Sequence, residues 1–386
     1  MTMMFARLAG TALMAAILAP TCLSACKSAP AAEPKVQPTA ETAPKSANFP
    51  VDHDSWAKLG YRLDWVGFPF ARQGRNPKIL AIRGYDDVIF ALESDSTIAV
   101  LETATGQRRW ATDLAGPLTR FVSLNRDVVD PSRVLVSSES EVFLLSIANG
   151  NILGRERFEQ VVNTRAIVEG PMAVYGTSKG QILAHHLGIG VKAWGFGTDD
   201  PIDAAPVRVG NSILVINQAG AIVVLTPEGQ LVGRNKIFGG TAGDPVSDGH
   251  FAFIAGLDQS VWAFDQVGGL AWRYRTPAPL RVQPATFGDT VYVEVRGQGL
   301  TALAAADGTV KWSNKDIGGT VIASNNGSLL VWNAATSSMA LIDAARGDTI
   351  HSAPVAGIKQ IFTDSADGAP LYAVSDKGVL ARFVRR

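Results

Sequence analysis

Beyond its first fifty residues the chain is a succession of short apolar runs, alternating or β-branched, each closed by a turn signal. No stretch there sustains a helical period, so the expected elements are strands. One unit reads strand by strand. "RVQPATF" (281–287) ends at Gly288-Asp289, "TVYVEV" (290–295) alternates, "LTALAA" (300–305) follows, and "TVKWSN" (309–314) leaves the Asp307-Gly308 turn. Asp-Gly between two such runs signals a hairpin, because glycine accepts the positive φ these turns need. Small residues such as Ala302 and Ala304 suit the crowded middle of a closed sheet array.

The unit repeats. Turn glycines stand at Gly106, Gly150, Gly190, Gly229, Gly268, Gly308 and Gly347, in steps of 39 to 44 residues. Four residues after each come Trp110, Gly154, Trp194, Gly233, Trp272, Trp312 and His351. A second marker, Pro206, Pro245 and Pro284, keeps a 39-residue step. Two independent markers in register at this period are the sign of β-propeller blades.

The two ends of the chain set the blade number. "IKQIFTD" (358–364), "PLYAVS" (370–375) and "GVLARFV" (378–384) make three strands, and the sequence stops before the fourth, the one that carries the tryptophan. "YRLDWVG" (61–67) supplies it, with Trp65 placed 45 residues before Trp110. Seven internal units and one shared between the ends give an all-β, eight-bladed propeller of four-stranded antiparallel blades over residues 51–386, its last blade closed by the N-terminal strand. Closure of this kind removes the free sheet edges that invite aggregation.

The pattern in "ALAAADGTVKW" (302–312), "VLETATGQRRW" (100–110) and "AFDQVGGLAW" (263–272) resembles the quinoprotein-like (PQQ-type) propeller repeat. The resemblance implies that each tryptophan docks onto the neighbouring blade. Five of eight slots keep it: Trp65, Trp110, Trp194, Trp272 and Trp312. Gly154, Gly233 and His351 depart from the pattern, so those blade contacts must be made differently.

The N-terminus carries an address. Arg7 precedes an apolar run from Leu8 to Ala19, too short to span a bilayer, which needs about 20 residues. "LSAC" (23–26) then resembles the bacterial lipobox, which implies a signal peptide over 1–25 and a lipidated Cys26. An ordinary signal cut near Ala25 or Ala29 is the other reading. Several acyl chains, at about 0.8 kcal/mol per buried methylene, give a stable anchor. Lys27 behind the cysteine resembles the sorting signal for the periplasmic side of the outer membrane. Residues 26–50, rich in Pro, Ala and small polar residues, read as a flexible tether.

Charge and chemistry narrow the function. Lys plus Arg equal Asp plus Glu at 35 each, and no basic stripe with interleaved aromatics is present, so nucleic acid is not an expected partner. Both cysteines, Cys22 and Cys26, precede the fold. The acidic pairs Asp86-Asp87 and Asp199-Asp200 read as turn formers rather than metal ligands. His185 and His186 are adjacent in a strand and point to opposite faces; His53 and His250 are isolated. No nucleophile elbow, zinc helix or phosphate loop occurs.

Within the quinoprotein-like family, one branch binds pyrroloquinoline quinone and calcium and oxidises alcohols or sugars; that is the alternative function. The overall plan, from lipobox and tether to eight blades and a short basic tail "VLARFVRR", is more similar to the lipid-anchored scaffold subunits of the outer-membrane β-barrel assembly machine. That resemblance implies a protein with no catalytic, metal or cofactor site. It would reach the membrane through its lipid alone and bind the barrel insertase or another envelope partner. In those scaffolds the partner-binding loop follows the third tryptophan turn and carries apolar residues beside an arginine. Here the corresponding loop, "GFGTDDPIDAAP" (195–206), is acidic and lacks arginine, so no interface residue carries over.

Overall fold

The computed structural model describes residues 49–69, 79–116, 118–363 and 370–386, and a two-residue strand at Val36–Gln37. Eight antiparallel sheets follow one another as blades 1 to 8. Blades 1 to 4 run Ile79–Asp113, Phe121–Arg157, Ile167–Gly197 and Val207–Lys236. Blades 5 to 7 run Val246–Arg275, Ala285–Asn314 and Thr320–Pro354, and blade 8 combines Ile358–Arg385 with Tyr61–Gly67. In blades 1 to 7 the strands pair in chain order, and first strands touch between blades 1 and 2, 4 and 5, 5 and 6, and 6 and 7, so the first strands form the inner ring and the fourth strands the rim.

Burial follows from this layering. Second and third strands lie between neighbouring blades on both faces, so they are continuously apolar: Val88–Glu93 and Ser212–Ile216 are buried at every position. Rim strands such as Ile152–Arg157 alternate instead, with one face packed and one in solvent. The unit read from the sequence is placed at Ala285–Phe287, Thr290–Val295, Gly299–Ala304 and Val310–Asn314. Its first strand is shorter than expected, since residues 281–284 belong to the link from blade 5.

Blade 8 closes the ring. Tyr61–Gly67 pairs antiparallel with Leu380–Arg385, from Tyr61 opposite Arg385 to Gly67 opposite Leu380. An Arg382–Asp64 ion pair at 2.7 Å and a hydrogen bond from the Arg386 amide to the Gly60 carbonyl at 3.1 Å join the two ends.

Two features before this strand differ from the expectation of strands alone after a spacer. Val36–Gln37 pairs with the rim strand of blade 1, opposite Thr112 and Ala111. His53–Lys58 is an α-helix, capped by the Asp52 carboxylate, which accepts from the amides of Asp54 and Ser55. Six residues are too few for a helical period to show in sequence. The helix delivers Trp56, 1% exposed, onto Phe383, with ring centroids 3.7 Å apart and planes within 13°. Phe49, Trp56 and Leu59 join one apolar cluster with Trp332 and Met339 of blade 7, Val355 of the link that follows and Ile358 of blade 8, so the N-terminal segment fills the last interblade junction.

Trp56→Ala is expected to lower stability by about 3–5 kcal/mol, since it removes a buried aromatic and leaves a cavity at the closure. A urea titration followed by tryptophan fluorescence checks this; an unchanged midpoint would refute a closing role for the helix.

Candidate functional site

Between blades, one geometry recurs. The indole N–H of Trp65 donates to Thr103 O (2.9 Å), Trp110 to Ile147 O (2.7 Å), and Trp194 to Pro227 O (2.9 Å). Trp272 donates to Ala305 O (2.7 Å) and Trp312 to Ala344 O (2.9 Å). Each acceptor lies in the turn between the third and rim strands of the next blade, and the ring covers that turn's glycine. Gly150, at φ +76°, has no room for a Cβ, which would stand 2.6 Å from the Trp110 ring. The same collision awaits a side chain at Gly106, Gly229, Gly308 and Gly347.

The rim strands carry a further shared device that the sequence pattern does not show. In all eight blades the ladder between third and rim strand slips by one residue just before the tryptophan slot. The extra residues are Asp64, Arg109, Leu153, Ala193, Val232, Ala271, Lys311 and Ile350. Such a β-bulge bends the strand and re-aims the residue after it, here toward the next blade.

The three departing slots use other chemistry. Past Gly154, Glu156 reaches blade 3, its carboxylate 2.9 Å from His185 Nε2 and accepting from the Gly188 amide at 2.7 Å. At Gly233 the next turn comes so close that a Cβ would overlap the Val267 carbonyl, and Asn235 Nδ2 donates to Gly268 O at 2.9 Å. His351 faces a different situation. The third and rim strands of blade 8 come from opposite ends of the chain, so no turn glycine exists there to cover; its Nε2 is buried without a hydrogen-bond partner.

The remaining candidates are dispersed. His185 is buried against Glu156, while the partly exposed His186 contacts the Leu187 carbonyl through Nδ1, so the two do not converge. In the acidic loop, Asp203 is held by Asn163 and Gln218, and Ile202 is fully buried. Asp87 is gripped by Arg126 at 2.7 and 3.1 Å, which holds its carboxyl below the usual 3.8. Among the described residues no three His, Cys, Asp or Glu side chains are placed to hold a metal ion. Cys26 lies outside the described residues. Among those described, no helix is long and apolar enough to cross a membrane.

The loops that remain form a continuous face. Links between blades and turns between second and third strands emerge at the same end, and backbone bonds tie them in series: Gln218 N to Pro201 O, Ile237 N to Gly220 O, Leu257 N to Gly240 O, Leu280 N to Gly256 O.

The family model described as outer membrane protein assembly factor BamB matches residues 69–196 and 189–386. The chain belongs to the BamB family. The crystal structure of BamB from Moraxella catarrhalis superposes with a TM-score of 0.64 at 17% identity, over 81% of this chain and 98% of that one. A computationally designed protein, Ika8, matches with a TM-score of 0.67 at 13% identity, over 84% of this chain and 99% of that one. At such identities the likeness is one of fold. No match was found among curated proteins.

Two predictions test how this BamB-family ring is held. Gly150→Ala should cost roughly 2–4 kcal/mol, combining backbone strain with overpacking against Trp110. Gly170→Ala, at φ +55° but in open space, should cost only about 1 kcal/mol; paired urea midpoints measure the difference. The Asp87–Arg126 pair contributes stability above the ordinary carboxylate pKa and loses it as pH falls through the lowered native value. Arg126→Ala should therefore lose less stability than the natural protein between about pH 5 and 2, read as thermal midpoints. Parallel declines would contradict that linkage.

Proposed function

We propose that this chain is a lipid-anchored, non-enzymatic scaffold on the periplasmic side of the outer membrane, which binds the barrel insertase and assists assembly of outer-membrane β-barrel proteins. The observation that carries the reading is the BamB-family match over 69–386. The lipobox at Cys26, behind a signal peptide and ahead of the tether, supports the anchoring. Two of the polar groups singled out from the sequence, Asp87 and His185, are engaged in contacts between blades, with Arg126 and Glu156.

A ring held by staples in series is suited to such work. It presents many loops on a rigid support, and its specificity lies in those loops. Rigidity also lowers the entropy lost on binding.

Solubilised membranes bearing a tagged copy should yield the insertase in near-equal amount by mass spectrometry, and Cys26→Ala should abolish this recovery from membranes. An anchored protein that comes down without insertase would overturn the assembly role. A Cys26→Ala protein that stays on the membrane would overturn the lipid anchor.

A further inference from the structure

Most exposed aliphatic side chains on the rim repeat from blade to blade. Leu153, Val191, Leu231, Leu270, Val310 and Ile350 all lie within three residues of the tryptophan slot on their own strands. They belong to the repeat and mark no particular blade. Phe238 stands outside that repeat, as Leu118 does in the link from blade 1 to blade 2, and among the described residues it is the aromatic one of the exposed large apolar side chains. It stands in the link from blade 4 to blade 5, is 75% exposed, and is followed by Gly239 and Gly240.

Its surroundings are built rather than loose. The turn at 256–259 of blade 5 lies between two links: Gly256 bridges to Thr241 of the one, and its carbonyl accepts from the Leu280 amide of the other. Leu257 on that turn is 37% exposed, and Pro277 and Pro279 on the second link are exposed as well. These three loops, joined side by side by backbone bonds and each carrying an exposed apolar residue, make up the crest of the loop face.

The charges around the crest are one-sided. Its carboxylates are already engaged: Asp244 by Arg165 and the Ala205 amide, Asp258 by Trp262 and Arg273. The exposed Lys236, Arg275 and Arg281 make no ion pair with a described residue. An aromatic anchor at an uncharged centre with a cationic rim is the anatomy of a protein-binding patch.

We infer that the crest of Phe238 and Leu257 is the docking surface for the protein partner, seating in an apolar pocket ringed by carboxylates. The acidic loop at 195–206, wired inward through Ile202 and Asp203, is then not the anchor. This assignment rests on the scaffold reading, with the insertase as the partner.

The test titrates the full chain in detergent with the purified periplasmic region of the barrel insertase from the same bacterium. Phe238→Ala and Arg281→Glu should each weaken binding about tenfold or more, and binding should fall with salt. Ile189→Ala, an exposed aliphatic at the opposite end of the blades, should leave it unchanged. Urea midpoints equal to that of the natural chain confirm that the variants fold. If the natural chain and both crest variants bind equally, the crest assignment falls while the scaffold reading stands. If the natural chain does not bind, both fall. Binding to phosphatidylglycerol vesicles that is lost in Phe238→Ala, with insertase binding intact, would make the crest a membrane contact and overturn the assignment.

Discussion

A ring of blades holds only if it closes, and here closure depends on hydrogen bonding between residues more than three hundred positions apart. Tyr61–Gly67 must find Leu380–Arg385 in one register, because a slip by one residue would turn Trp65 away from the blade 1 turn it covers. The Arg382–Asp64 pair and the Trp56–Phe383 stack add side-chain discrimination to a ladder whose backbone bonds alone are indifferent to register. The core between blades 8 and 1 is equally long-range, with Ile82 and Ile89 packed against Tyr372, Val374 and Leu380, whereas the indole staples each join positions about forty residues apart.

The staples show how one structural task tolerates different chemistries. Indole over glycine is the commonest solution, and it couples two residues in different blades: the ring occupies the space a side chain would need. Where the tryptophan is missing, the gap is closed by a carboxylate reaching to a histidine and an amide, or by direct approach of backbone at Gly233. These solutions differ in kind. The indole staples lay an aromatic ring over backbone, whereas the Glu156–His185 contact sets a polar pair inside the junction, its carboxylate also held by the Gly188 amide.

The repeat was legible because turn glycines and tryptophans are local signals with a fixed period, and the strand at 61–67 could be assigned from the missing member of the last unit. The compensations were not. Glu156 is an ordinary rim residue until the bulge at Leu153 sets its direction, and its partner lies 29 residues on. His351 reads as a degenerate tryptophan slot, yet the reason lies at the other end of the chain, in the absent turn. Phe238 in "KIFGGTAG" reads as one more apolar residue to be buried, yet the fold leaves it 75% exposed, because burial is decided by how distant parts of the chain come together. For the same reason Asp203 looks free in sequence and is held by Asn163 and Gln218 in the fold.

The hydrogen bond from the Arg386 amide to the Gly60 carbonyl puts the two ends of the propeller where the other seven blades have a turn between third and rim strands. This junction, bridged by a hydrogen bond where the others are bridged by a turn, is therefore one of eight equivalent positions around the propeller. Joining these ends and opening any other such turn would give a circular permutant with the same sheets. The segment that precedes Gly60 could thus be joined at a different blade of the ring without a new fold having to be found.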